Sequence, residues 1–555
     1  MANSFPVSVK HGQKKYDLTL HTAHPPSAFK QAIQQLTGVA PIKQKILIKG
    51  GQLKDDSDWS KLAIKPGHQF MLIGTASELP PPPAQQTIFV EDLTDTQLAE
   101  ADPFPAGLEN LGNTCYLNST VQVLRAIPEL QTNLTSYTRA QDTSRNDTAL
   151  TCSLRDTYQD LTKSSEGYSP FSLIGALRSY APQFAQQTQG HYAQQDAEEC
   201  WVQLLSAVRS TLDSSVGPDG KFVERYLTGE LETETKCIEA PEEPPTISKE
   251  KWLELKCNIS ISTNYMLTGI QDGLKQPLEK TSPSLGRSAQ YLQTSKISRL
   301  PAYLTIHMVR FYWRRDINKK TKIMRKVKFP FNLDLTDLLS DKLKSQVGPA
   351  ASKLKEIEKD RRERIKISKK KKIAKEESAK NQMAIDGPNG PAAAPAAPST
   401  SSAAPTTTAT KAAAAENGKG GGSEEEEEDE ATIRERESAV LLSLMDPELM
   451  SDVGTNPTAQ YELCGIVTHK GASADGGHYM AWVRCDAAKA NPNLPAPSAV
   501  DASGTQLNLQ DPDDQEWYKF DDEKVSVVHK DKILGLDGGG EDSIAYILLY
   551  RPSKI

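Results

Sequence analysis

This 555-residue chain has few cysteines, and none of them are paired by spacing: the seven, at 115, 152, 200, 237, 257, 464 and 485, are scattered, odd in number and form no CxxC. That argues against a disulfide framework and a four-thiolate zinc site, and it fits a reducing compartment. Long apolar runs are missing, and the N-terminal Met1-Ala2-Asn3-Ser4 is polar. Neither a signal peptide nor a transmembrane helix is therefore expected, which points to the cytoplasm or nucleus. Positive charge is in deficit, with 65 Lys and Arg against 72 Asp and Glu and a formal net charge of −7. Such a balance argues against nucleic acid or an anionic membrane as the main partner. Apolar residues make up only 37% of the chain, too few for it to be globular throughout, so part of it is expected to be linker.

Composition separates the pieces. In residues 1–76, Val7, Val9, Tyr16, Leu18 and Leu20 alternate around Gly12 as two strands. A helix is expected near Ser27–Leu36, with Phe29, Ile33 and Leu36 on one stripe. The runs Lys45-Ile46-Leu47-Ile48 and Gln69-Phe70-Met71-Leu72-Ile73 read as further strands. This β-β-α-β-β order resembles ubiquitin, most closely over Ile46-Leu47-Ile48-Lys49-Gly50-Gly51-Gln52-Leu53, and implies a β-grasp domain. Ubiquitin's terminal Gly-Gly is not there; Leu79-Pro80-Pro81-Pro82-Pro83 follows within a stiff linker, 77–102. The resemblance implies a fixed docking module whose apolar patch includes Leu47 and Ile73. A large domain is expected in two parts, 103–347 and 441–552, split by an insertion at 348–440. The insertion is highly charged around Lys369-Lys370-Lys371-Lys372, Ala- and Pro-rich over 388–423, and acidic over Glu424–Glu430. It is expected to be disordered, with 353–380 as an exposed helix at most.

Chemistry gathers in three runs. Cys115 follows Gly112-Asn113-Thr114, and Leu117, Val121 and Leu124 then recur at helical spacing up to Pro128. The turn and its cap put Cys115 at a helix N-terminus, where amide N–H groups and the helix dipole favour negative charge on the sulfur. Asn110, five residues upstream, is a candidate side-chain donor to an oxyanion. A thiol nucleophile needs a base to take its proton and protonate a leaving amine. His478, between Gly476-Gly477 and the strand-like Tyr479-Met480-Ala481-Trp482-Val483, is the best of the nine histidines; His469 lies nearby without that context. Asp521, after Trp517-Tyr518-Lys519-Phe520, is the expected orienter, with Asp522 an alternative that sequence does not separate. Spacing alone does not pair residues hundreds of positions apart.

The motifs supply the pairing. Gly107–Val121 resembles the cysteine box of the ubiquitin-specific proteases, and Tyr461–Val483 with Glu516–Val527 their histidine box. Gln194-Gln195-Asp196-Ala197-Glu198-Glu199-Cys200, Leu304–Leu335 and Ala545-Tyr546-Ile547-Leu548-Leu549-Tyr550 resemble three further blocks. The resemblance implies an α+β architecture: the β-grasp domain followed by a papain-like catalytic domain of thumb, palm and fingers. It implies Cys115 as nucleophile, His478 as general base and acid, Asp521 as orienter and Asn110 in the oxyanion hole. It also implies ubiquitin and polyubiquitin conjugates as substrates. The N-terminal domain resembles that of the proteasome-associated branch, which implies the 26S proteasome regulatory particle as partner. The small, Gly-rich loop after His469, with Gly471, Ser473, Gly476, Gly477 and Tyr479, is expected to border the groove for ubiquitin's tail and to gate it.

There are departures from the family pattern. The fingers region offers only Cys237 and Cys257, each alone, so no structural zinc and no cofactor are expected. Asp486–Gln515 is long and Pro- and Ala-rich, and reads as a solvent loop. Cys200 is expected in the core. Competing readings are a non-catalytic ubiquitin-binding proteasome regulator, a papain-like protease without preference for ubiquitin, and a modifier that conjugates its own head.

Overall fold

The computed structural model describes residues 4–74 (save 13, 49, 50, 56 and 63), 105–137, 145–213 (save 165 and 166), 221–385 (save 317), 430–471, 476–489, 516–539 and 543–554. It falls into two units, Met1–Asp92 and Leu93–Ile555.

In the first unit, apolar-polar alternation makes the hairpin β1 (Ser4–His11) and β2 (Lys14–His21), turned at Gly12 with φ +60°. Helix α1 (Pro26–Thr37) follows, then β3 (Lys45–Ile48), β4 (Gly51–Gln52) and β5 (Gln69–Ile73). The sheet order is β2-β1-β5-β3-β4, with β5 parallel to β1. Phe29 and Ile33 of α1 pack on Val7, Val9, Leu20, Ile46, Phe70 and Leu72. Leu36, expected on the same stripe, is instead exposed; the helix is in its last turn there, closed by the left-handed Gly38. Phe70 and Leu72 point inward, so Met71 and Ile73 point outward, and Leu47 is paired with Met71. These three are 40–51% exposed.

The second unit starts with helices α2 (Cys115–Leu124), α3 (Pro128–Ser136), α4 (Asn146–Leu161) and α5 (Phe171–Tyr180). The short hairpin β6 (Gln187–Thr188) and β7 (His191–Tyr192) leads to α6 (Ala197–Leu212) and α7 (Phe222–Tyr226). Every residue of α2 is buried, not merely the stripe its spacing suggests. Its polar donors find acceptors even so: Ser119 Oγ donates to the Cys115 carbonyl at 2.8 Å, Thr120 Oγ1 to Tyr116 O at 2.7 Å and Gln122 Nε2 to Ala106 O at 3.1 Å, while Asn118 Oδ1 and Gln122 Oε1 are left without a donor among the described residues.

Beyond lie β8 (Gly229–Cys237), β9 (Thr246–Trp252), β10 (Leu255–Asn258), α8 (Met266–Gly273), β11 (Lys275–Thr281), β12 (Ser288–Arg299), β13 (Leu304–Val309), β14 (Phe311–Arg314), β15 (Lys319–Lys322) and β16 (Asn332–Asp334). After two long helices come β17 (Gln460–Lys470), β18 (His478–Arg484), β19 (Glu516–Asp521), β20 (Lys524–His529) and β21 (Ile544–Pro552). An eight-stranded sheet runs β10-β13-β21-β17-β18-β19-β20, with β16 on β17. A four-stranded sheet, β11-β12-β8-β9, stands apart. Cys237 belongs to this smaller sheet, packed with Ala240, Ala289 and Tyr291, whereas Cys257 belongs to the large one. Cys200 lies in the core, as expected.

The insertion differs from expectation. Helix α9 (Asp341–Ile385) runs well past residue 348 and α10 (Glu430–Leu444) returns antiparallel to it. Ala350, Leu354 and Ile357 are buried against Leu441 and Met445. Arg361 Nε reaches Glu437 at 2.6 Å, and Arg364 reaches both Glu437 and Glu430. The charge that suggested disorder thus flanks a narrow apolar seam and pairs across it. Residues 386–429 lie outside the described residues. Of the expected Asp486–Gln515 loop, Cys485–Lys489 is a short helix in which Asp486 accepts from Arg551 and Lys554; residues 490–515 lie outside the described residues. Among the described residues no helix is long and apolar enough to cross a membrane.

One buried cation ties strand ends together. The Arg310 guanidinium donates to the carbonyls of Ala545 at 2.8 Å, Arg325 at 2.9 Å, Ile323 at 3.2 Å and Asp537 at 3.3 Å. Replacing it leaves several buried acceptors without donors. Arg310→Met is expected to destabilise the second unit by about 3 kcal/mol, read as a lowered urea midpoint of the full-length protein.

Candidate active site

The chain before α2 is pinned to the turn between β19 and β20. Leu108 N–H donates to Asp522 O at 3.1 Å, and a Cβ on Gly107 would stand 2.5 Å from Glu523 O and 2.6 Å from Asp522 O, so only glycine fits there. The next turn is left-handed at Gly112 and Asn113, with φ +91° and +56°. Thr114 then precedes α2, but its side chain does not cap the helix as expected: Thr114 Oγ1 accepts from Leu111 N–H at 2.9 Å and holds the turn instead.

Cys115 is the first residue of α2 and 2% exposed. Two donors meet its sulfur, Gln194 Nε2 at 3.3 Å and Tyr479 N–H at 3.4 Å. Tyr479 directly follows His478, which brings the imidazole beside the same sulfur, the largest influence on its titration. His478 Nε2 is 2.7 Å from Asp521 Oδ1, which leaves Nδ1 as the ring atom for the sulfur. Cys115 raises the His478 pKa; burial opposes it; the bond to Asp521 and the charges of Cys115 and Asp522 bring it to about 9. Burial pushes the Asp521 carboxyl up, but the hydrogen bonds from Lys519 and His478 outweigh it and hold it below the usual carboxylate range.

Asp522 has a different position. It adopts φ +54°, and its oxygens accept from Asn118 Nδ2 at 2.8 Å and Asn110 Nδ2 at 2.9 Å, with Oδ2 3.8 Å from His478 Nε2. Asn110 is therefore beside the site with one amide hydrogen committed to Asp522, while its Oδ1 accepts from Gly112 N–H and Thr114 N–H, both at 3.1 Å.

His469 is not an alternative base. Burial, then the Lys322 charge, push it down to about 3. Lys322 Nζ lies 2.8 Å from each of His469 Nδ1, His469 O and Gly471 O, and so ties the β14–β15 hairpin to the start of the loop before His478. Gly471 and Gly477 take φ +114° and +133°; a Cβ on Gly477 would meet Lys470 O at 2.4 Å and His469 Nε2 at 2.6 Å. Gly476 is half-buried, and Ser473 lies outside the described residues. Tyr479 corrects another expectation: its ring is buried against His469 and Tyr546, so only its backbone N–H serves the site. Sequence reasoning gave Gln194 no role, although the Gln-Gln-Asp-Ala run flagged the segment. It also missed Lys519, Lys322 and the group of Glu198, Glu254 and His307. The donor atoms of this last group lie within 4.8 Å of one another, close enough to share a cation.

A buried thiol beside an imidazole that is itself bonded to a carboxylate defines a thiol hydrolase site. The family model described as "Ubiquitin carboxyl-terminal hydrolase" matches residues 106–550, and that of the "Ubiquitin family" matches residues 7–77. Ubiquitin carboxyl-terminal hydrolase 6 of Schizosaccharomyces pombe is 38% identical over 99% of both chains. Ubiquitin carboxyl-terminal hydrolase 6 of Arabidopsis thaliana is 36% identical over 98% of both. Ubiquitin carboxyl-terminal hydrolase 14 of Caenorhabditis elegans is 31% identical over 99% of this chain and 94% of its own. The chain belongs to the ubiquitin carboxyl-terminal hydrolase family: it is a deubiquitinating cysteine protease with an N-terminal ubiquitin-like domain.

Because Cys115 is the largest influence raising the His478 pKa, Cys115→Ala is expected to lower the imidazole midpoint from about 9 by about one unit or more. Ring-nitrogen NMR shifts followed through a pH titration read this directly.

Proposed function

We propose that the enzyme releases ubiquitin from conjugates delivered to the 26S proteasome and so returns it for reuse, with Cys115, His478 and Asp521 carrying the chemistry. The observation that carries the reading is the convergence of the three residues: Tyr479 N–H, next to His478, meets the Cys115 sulfur at 3.4 Å, and His478 Nε2 is 2.7 Å from Asp521 Oδ1. The sulfur attacks the carbonyl of ubiquitin's terminal glycine while its proton resides on His478. The tetrahedral oxyanion is met by the remaining Asn110 amide hydrogen and first-turn amides of α2. As the intermediate collapses, His478 gives its proton to the leaving lysine amine and a thioester remains. Water, deprotonated by His478, then hydrolyses the thioester and restores the thiol. Asp521 keeps the imidazole oriented throughout and stabilises its charged form. The Asp522 carboxylate, engaged by two asparagine amides, serves to hold the turn.

The ubiquitin-like domain is the docking module in this reading. Exposed Leu47, Met71 and Ile73 on one sheet face support it, since a cluster of outward apolar side chains marks an interaction surface. Work at the proteasome implies residence in the cytoplasm and nucleus. The loop from His469 to His478 gates the tail groove, blocking the free enzyme and moving aside on docking; glycines at φ +114° and +133° supply hinges.

An electrophilic ubiquitin derivative is expected to form one adduct, at Cys115, located by peptide mapping; no adduct there would remove the catalytic reading. Deleting residues 1–75 is expected to abolish co-purification with proteasomes while sparing hydrolysis of a fluorogenic ubiquitin amide. Equal turnover of that amide by the full-length enzyme with and without proteasome would remove the gating.

A further inference from the structure

Asp521 has two oxygens and two cationic neighbours. Oδ1 is 2.7 Å from His478 Nε2, and Oδ2 accepts from Lys519 Nζ at 2.8 Å. The second contact follows from strand geometry. Residues two apart share a face, so Lys519 and Asp521 of β19 point the same way. Trp482 of β18 is directly opposite Lys519, and the faces of both strands open into one cavity of about 350 Å³ shared with His478.

The amine is itself held in place. Lys519 Nζ stands 5.8 Å from the centre of the Trp482 ring, within the range of a cation–π contact. That ring is buried and fixed by its indole N–H, which donates to Thr468 Oγ1 at 2.9 Å. A second carboxylate competes for the imidazole, since Asp522 Oδ2 is only 3.8 Å from His478 Nε2. Asp522 is fixed by Asn118 and Asn110, so its distance from the imidazole is set; the orientation of Asp521 then decides whether the imidazole keeps its nearer partner.

We propose that Lys519 is a positioning residue for the hydrolysis: by fixing Oδ2 of Asp521 it presents Oδ1 to His478 and makes Asp521, not Asp522, the partner of the imidazole. This rests on the reading of Cys115, His478 and Asp521 as the catalytic set. Lys519 touches neither the sulfur nor the imidazole. Its contribution is to turn a carboxylate that would otherwise rotate, and to keep it ionised against the pull of burial. The other charged groups facing the cavity are Lys470 at the end of β17, and Asp531 and Lys532 on the helix Lys530–Leu534. No hydrogen bond or ion pair from these lysines to Asp521 is found among the described residues, so they do not replace Lys519.

The test uses the full-length enzyme with Lys519→Met, Lys519→Gln and Lys519→Arg, following hydrolysis of a fluorogenic ubiquitin amide from about pH 3 to 10. The sign follows from the balance on Asp521. Without the ammonium, burial dominates, the carboxyl protonates at higher pH, and the acid limb of kcat/KM moves up by about one unit. At neutral pH kcat is expected to fall about tenfold, as a misaligned base would cause. KM should stay within about twofold, because the cavity is behind the imidazole and not on the sulfur side. Lys519→Arg restores the limb; Lys519→Gln, a neutral donor of similar size, keeps the shift and guards against a packing defect in Lys519→Met. An unchanged acid limb in both neutral variants, with the unmodified enzyme active, overturns the role of Lys519 alone. An unmodified enzyme that neither hydrolyses the amide nor forms the Cys115 adduct overturns the catalytic set, and this role with it.

Discussion

A carboxylate clamped by two asparagine amides joins the halves of the hydrolase domain. Asp522 accepts from Asn118 on α2 and from Asn110 just before it, bringing together residues about four hundred positions apart. The amides approach from the helix, the carboxylate from the β19–β20 turn, and Gly107 lets the two backbones close on each other. Charge-assisted hydrogen bonds are stronger than neutral ones, and the partly buried one from Asn118 is the more costly of the two to leave unmade. The spacing between the sulfur at the head of α2 and the imidazole at the start of β18 depends on this clamp, which adds to the Tyr479 N–H on the sulfur and to the apolar packing of α2 on the sheet.

From that junction the site builds outward in a chain of contacts. The sulfur is enclosed, while the imidazole, Asp521 and Lys519 are each partly exposed to a similar degree. Each member fixes the next, and the three partly exposed ones are screened by solvent as the sulfur is not. On the other side, Lys322 is nearly enclosed and has an imidazole and two carbonyls for partners, with no carboxylate among them. Burial, with the neighbouring Arg310 charge, pushes it down to about 8. The approach to His478 is thus held by an ammonium whose charge is only moderately secure.

How much of this could be read in the sequence depended on whether a local pattern reported it. The helix start at Cys115, the glycines before His478 and the strand before Asp521 are local, and the positions of all three side chains follow. Period-two alternation likewise gave the strands of the first unit. Lys519 and Lys322 were not legible, because a lysine reads as solvated surface until distant strands supply its partners. Tyr479 was assigned to the groove from its neighbours, whereas register turns its ring inward. The insertion was misjudged because the apolar residues Ala350, Leu354 and Ile357 lie at helical spacing within heavy charge, and charge dominates a composition window.

The antiparallel arm of α9 and α10 changes what the intervening chain can do. Their buried seam and arginine–glutamate pairs close the excursion between β16 and β17 locally, so its ends meet before the sheet is reached. Closure entropy grows only with the logarithm of loop length. Residues added or removed at the tip therefore alter the arm's own local balance and leave strand pairing untouched. That makes the tip a tolerant point for grafting a reporter or a foreign domain into the enzyme.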